Sequence, residues 1–154
     1  NFDRAVCFGM TDIRTRAQRS RLMAKVRSSD NGSTELKLVK IFRENGITGW
    51  RRHEPLLGKP DFLFRKLRLA VFVDGCFWHG CPIHGVNPRQ NAGFWRKKIA
   101  RNKARDRQVN RRLRAQGWRV WRIWEHALGQ KQRQRLLARF AVCRIDKVKV
   151  LRRD

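Results

Sequence analysis

Apolar residues along this chain recur in two periods, and the switches between them sketch the fold. Leu22, Met23 and Val26 fall at helical spacing in the basic stretch 15–27 and predict a short amphipathic helix. The polar run 28–33 reads as a loop with Ser33 as the N-cap. Residues 35–45 then predict a helix with Leu36, Val39, Ile41 and Phe42 inward and Gly46 just past its end. From there the period shortens. Residues 49–53 form a candidate strand, Leu57-Gly58-Lys59-Pro60 a turn, and 61–64 and 69–73 two paired strands around a basic turn. A loop rich in Gly, Cys, His and Pro fills 74–91. Residues 94–116 predict a long basic helix stopped by Gly117. Next, Trp118, Val120 and Arg122 alternate against Arg119, Trp121 and Ile123, a strand signature, and 130–142 predict the last helix. Helices flanking three or four strands make an α/β or α+β domain.

Length fits that sketch: 154 residues suit one domain with its own core. The domain is expected over 10–142, with residues 1–9 as a leader ahead of Met10 and 143–154 as a basic tail. Charge narrows the partner. Lys and Arg number 38 against 12 acids, a net +26, and an excess of that size favours a polyanion. Nucleic acid comes first, since each phosphate contact releases counterions, and an acidic membrane surface second. A hydrophobic fraction of 41% argues against a disordered basic tail. No apolar run approaches the roughly 20 residues that span a bilayer, so an intracellular protein is expected.

The central loop carries metal chemistry. Cys76-x4-Cys81-x2-His84 supplies three borderline-to-soft ligands in one short segment, and His126 at the end of a predicted strand is the fourth candidate. Zn²⁺ takes four such ligands tetrahedrally, and with no open position the site would be structural. Pro82 and Gly85 suit the sharp turns of such a loop. The plain alternative is a pair of core thiols with a surface histidine. Cys7 and Cys143 stand alone and read as incidental.

Acids are scarce here, which makes each one informative. Asp61 heads a strand after Gly58-Lys59-Pro60, the placement from which a hard carboxylate oxygen holds Mg²⁺ beside a phosphate. Asp74 on the neighbouring strand is a second candidate ligand. Glu35 and Asp106, each on a helix, are candidates for outer-sphere contacts or for orienting a base. The alternative for each is a turn former or a solvated helix charge. His79 lies between Cys76 and Cys81: it is either a spare zinc ligand or a general base, and the base is preferred because imidazole titrates near neutrality. His53 reads as structural.

Two aromatic pairs, Phe77-Trp78 and Phe94-Trp95, stand beside basic residues. Most such rings are core, and Trp118, Trp121 and Trp124 are read that way. Phe77, Trp78 and Trp95, next to a polar loop, are expected to wedge into a base stack, with Met23 a weaker fourth candidate.

Taken together, Leu57-Gly58-Lys59-Pro60-Asp61-Phe62, the block from Val71 through Asp74-Gly75-Cys76-Phe77-Trp78-His79-Gly80-Cys81-Pro82, Phe94-Trp95, Asn102-x3-Asp106 and Gly117-Trp118-Arg119-Val120 resemble the very-short-patch repair (Vsr) endonuclease family over about residues 10–140. Arg19-Ser20-Arg21-Leu22-Met23 looks like that family's N-terminal helix. The resemblance implies a restriction-endonuclease-like core, a central mixed sheet flanked by helices with a structural zinc loop. It implies nicking of double-stranded DNA 5′ to the T of a T:G mismatch, as a monomer, in the bacterial cytoplasm and alongside other mismatch-repair proteins. By the same resemblance Asp61 and the Val73 carbonyl would hold Mg²⁺, His79 would activate water, and Glu35 and Asp106 would support the site. Phe77, Trp78 and Trp95 would intercalate, and Cys76, Cys81, His84 and His126 would hold Zn²⁺. Some members carry Thr-His where this chain has Val73-Asp74, and Cys in place of His126. The acid-x-Lys ending common in that fold is missing, since Asp74-Gly75-Cys76 has no lysine, so His79 would take over its work. Two other readings remain: a homing endonuclease that shares Asp61, His79 and the zinc loop and cuts a long matched target, and a non-catalytic zinc-stabilised DNA-binding module that needs only the charge and the zinc loop.

Overall fold

The computed structural model describes residues 31–85 and 91–150, with 143–150 as backbone only. The helix expected at 15–27, Met23, Cys7 and the Cys143 side chain lie outside the described residues. Helix α1, Glu35–Glu44, buries Glu35, Leu38, Val39, Ile41 and Phe42. Leu36 is 43% exposed, against the expectation that it faces inward. A stripe through Leu36 would have carried Lys40 and Arg43 into the core with it, whereas the stripe through Glu35, Leu38, Val39 and Phe42 includes one charge. Ser33 is not the N-cap. Its N–H and hydroxyl both turn to Asn31 Oδ1, and Thr34 precedes the helix without a side-chain capping bond.

Strand β1, Phe62–Phe64, runs antiparallel to β2, Leu69–Asp74, around a 3-10 turn at Arg65–Leu67. The candidate strand at 49–53 contributes one antiparallel bridge, Arg51 to Leu63, before His53 enters the left-handed region at φ 56°. Helix α2, Ala92–Ala115, leads to β3, Arg119–Trp124, which pairs parallel to β2. The sheet order is β1-β2-β3. A 3-10 turn at Glu125–Leu128 leads into helix α3, Gln130–Val150. This helix outruns its expected stop at Val142, because no Gly or Pro follows to break it.

Period-2 alternation divides the core between two faces. Phe62, Phe64, Leu69, Val71, Val73 and Ile123 meet α1 and the Leu136 and Phe140 face of α3. Leu63, Ala70 and Phe72 meet Leu113 of α2, with Val109, Trp118 and Val120 around them. All six residues of β2 are buried, which explains its unbroken apolar run. The inner stripe of α2 is Trp95, Ile99, Asn102, Asp106, Val109 and Leu113, at alternating steps of four and three. Asn102 and Asp106 interrupt that apolar stripe between Ile99 and Val109, so one helix both seals the core and supplies polar groups to the end of the sheet. Gly58, at φ +79°, lies so close that any Cβ would strike Val109, which holds the turn before β1 against α2.

Candidate active site

Parallel pairing of β2 with β3 sends both chains out of the sheet at the same end. Asp74 is aligned with Trp124, so the loop after β2 and the 3-10 turn after β3 must meet. Cys76, Cys81, His84 and His126 do so, with one ligand atom from each lying within 4.8 Å of all the others. Cys76 Sγ is 3.2 Å from His126 Nδ1, and Cys81 Sγ is 3.6 Å from it. Burial, with Cys81 and Glu125 nearby, pushes the Cys76 thiol up to about 11, while burial and His84 hold His126 below its ordinary value. Crowded, mutually unfavourable donors of this kind are what a soft cation relieves, and two thiols with two imidazoles match zinc's donor set.

At the same end, Asp61 stands just before β1. The Val73 N–H donates to its Oδ2 at 2.6 Å. Burial, and after it the carboxyls of Glu35 and Asp74, outweigh that bond and push Asp61 up to about 7. Glu35 is itself buried and receives Arg52 Nη2 at 2.7 Å. Carboxyls crowded into one pocket repel one another when charged, and Asp61 with Glu35 offers hard oxygen donors of the kind a divalent ion takes. Asp74, the second carboxylate expected to hold that ion, has both oxygens engaged by Arg122 instead, each at 2.6 Å.

His79 completes the cluster. Its Nδ1 lies 2.6 Å from Asp106 Oδ2 and 3.6 Å from Asp74 Oδ1. With its Nδ1 proton given to Asp106, a neutral ring carries its lone pair on Nε2. The His79 bond, together with the Arg122 charge, overcomes burial and keeps Asp106 below the usual carboxylate range. His79 is thus engaged by Asp106 and is absent from the four-ligand cluster. Asp74 neighbours both Asp61 and His79, so the acidic pocket and the imidazole share one end of the sheet. Gly80, at φ +61°, leaves room for Lys103 of α2, whose Cε would lie 2.5 Å from an added Cβ. Asn102 Nδ2 donates to the Trp78 carbonyl at 2.8 Å, a second tie between α2 and this loop.

Phe77, Trp78 and Trp95 pack edge to face, with centroids 5.1 to 5.8 Å apart. Phe94 adjoins Trp95 at 5.3 Å and is 59% exposed, and Lys98 lies over both Trp78 and Phe94. The three expected wedge residues therefore form one half-buried cluster, continued outward by Phe94. The solvent face of α2 beside it carries Lys and Arg at most of its positions, all exposed from Arg96 to Arg105.

A family model described as DNA mismatch endonuclease Vsr matches residues 11–84. The DNA mismatch endonuclease Vsr of Escherichia coli (strain K12) is 34% identical over 126 residues, 80% of each chain. The chain belongs to the Vsr family. Other relatives are nicking enzymes by name. Type II nicking enzyme V.NmeDIP of Neisseria meningitidis serogroup C is 38% identical over 117 residues, 75% of this chain and 78% of that protein. V.NaeI of Lentzea aerocolonigenes is 54% identical over 68 residues, 44% of this chain and 41% of that protein. Membership in the Vsr family makes this chain a DNA endonuclease and agrees with its small mixed sheet flanked by helices. The Vsr motifs drew the eye to acids, histidines and cysteines, and passed over Arg122 and Arg52, the two arginines that hold those acids in place.

Proposed function

We propose that this chain nicks double-stranded DNA 5′ to the T of a T:G mismatch. The observation that carries the reading is that one end of the sheet brings together the Asp61 and Glu35 carboxyls, a His79–Asp106 pair and an aromatic cluster. Asp61, with Glu35 and the Val73 carbonyl, would hold Mg²⁺, which when bound supplies charge stabilisation at the scissile phosphate. His79 accepts a proton from water at Nε2 while Asp106 steadies the resulting imidazolium through Nδ1–H. The oxygen of that water attacks phosphorus, the ester bond to the leaving oxygen breaks, and the leaving alkoxide takes up a proton. Phe77, Trp78 and Trp95 enter the stack at the mismatch, where unstacking costs least. Cys76, Cys81, His84 and His126 hold Zn²⁺ and, through it, the loop that carries His79. The exposed cations of α2 neutralise phosphates.

End-labelled T:G, T:A and C:G duplexes incubated with Mg²⁺ test the reading directly. A single-strand break confined to the T:G duplex is expected, and Asp61→Ala abolishes it while leaving DNA binding within about threefold, since one acid is lost from a strongly cationic surface. Equal cutting of the T:A duplex would overturn the mismatch reading.

A further inference from the structure

Arg122 has no part in the chemistry above, yet its guanidinium meets Asp74, Asp106 and Asn110 at this end of the sheet. Strand alternation puts it on the α2 face of β3, paired with Phe72 of β2, whose ring lies 4.9 Å beneath its guanidinium. Its Nε and Nη2 reach the two oxygens of Asp74 at 2.6 Å each, and Nη2 also reaches Asp106 Oδ1 at 3.1 Å. Three elements, β2, β3 and α2, are therefore tied through one planar group. The other oxygen of Asp106 holds His79.

His79 Nδ1 has one proton to give and two carboxylates within reach, Asp106 at 2.6 Å and Asp74 at 3.6 Å. The Asp74 oxygen facing His79 is Oδ1, the same atom that Arg122 Nη2 occupies. The fork thus engages the competing acceptor and, from the same nitrogen, fixes the far oxygen of Asp106. Lysine cannot reproduce this, because it offers a point charge rather than a planar set of donors.

We propose that Arg122 is a positioning residue for the nicking reaction: by occupying Asp74 and anchoring Asp106 it leaves His79 one partner and one ring orientation. The proposal rests on the reading of His79 as the base. Three variants, Arg122→Lys, Arg122→Leu and Asp74→Asn/Arg122→Leu, are compared by single-turnover nicking of a T:G duplex with Mg²⁺, DNA affinity and thermal melting. Arg122→Lys should slow nicking at least about tenfold and Arg122→Leu about a hundredfold, the range for losing a group that orients a reacting residue. DNA affinity should stay within about twofold in both. Asp74→Asn in the Arg122→Leu background should recover at least about tenfold of the lost rate, because the neutral amide competes less well for the His79 proton. A merely structural arginine would change melting and affinity with the rate, and removal of Asp74 would not restore cutting. The proposal is overturned if Arg122→Lys nicks at the parental rate, or if the double variant is no faster than Arg122→Leu. Should Arg122→Leu fail to fold, Arg122→Lys decides alone. His79→Ala, run in parallel, separates the two claims: parental nicking by that variant removes the base and the proposal with it. Loss of nicking in His79→Ala beside an unaffected Arg122→Lys leaves the base standing and the Arg122 proposal refuted.

Discussion

At the scale of single residues, the decisive fact is that Asp61 is held in a place where its own charge is unwelcome. Its pKa, raised to about 7 by burial and by Glu35 and Asp74, means that the folded chain binds this proton more tightly than the unfolded chain does. Stability from this group is therefore greatest at acid pH and is lost as pH climbs from about 4 to about 7, by at most ~4 kcal/mol at ~1.4 kcal/mol per pH unit. In the metal-free protein the melting temperature should fall across that window, Mg²⁺ should restore it at pH 7, and Asp61→Asn should flatten the profile. A flat profile in the parent chain would count against the buried acidic pocket. The acids and His79 were legible in the sequence because they are rare and sit in distinctive motifs. Their holders were not: an arginine in a chain with 38 Lys and Arg carries no signal of its own. Only the alternation that set Arg122 in phase with Val120 marked it as inward-facing.

Among the elements, α2 shows most clearly where pattern reading works and where it stops. Its length and its end near Gly117 followed from the sequence to within two residues. Its inner face was harder to see because the middle of that stripe is polar, with Asn102 and Asp106 spending their side chains on Trp78 and His79 rather than on water. The two halves should respond differently to substitution. Leu113→Ala, at a fully buried site, should destabilise the fold by about 2–5 kcal/mol in denaturant titration while the residual folded fraction keeps its cutting rate. Lys97→Gln and Arg101→Gln, both on the exposed side, should leave stability unchanged and lower the slope of log affinity against log salt by about 0.9 each if each side chain meets one phosphate. The error at α1, where Leu38 rather than Leu36 is buried, has the same origin: a buried Glu35 shifts the stripe, and burial of an acid is not written in hydrophobic periodicity.

Over the whole molecule, parallel β2 and β3 were the feature least available beforehand, since strand patterns give neither order nor direction. That single pairing is what lets Cys76, Cys81 and His84 meet His126, more than forty residues further along the chain. Because the Cys76 thiol must lose its proton to bind, zinc affinity should weaken by about tenfold or more per unit fall in pH, measurable by competition with a chromophoric chelator. Cys81→Ser should reduce the bound zinc and lower the melting temperature. His79 lies inside the segment bounded by Cys76 and Cys81, like a stone in a ring whose clasp would be the proposed zinc. Undoing the clasp frees the setting even when every atom of the acidic pocket is intact. Zinc withdrawal from this enzyme, with magnesium in excess, should therefore silence cutting at a point where circular dichroism still reports a folded sheet, and cutting that outlives the zinc would sever the link between the two centres.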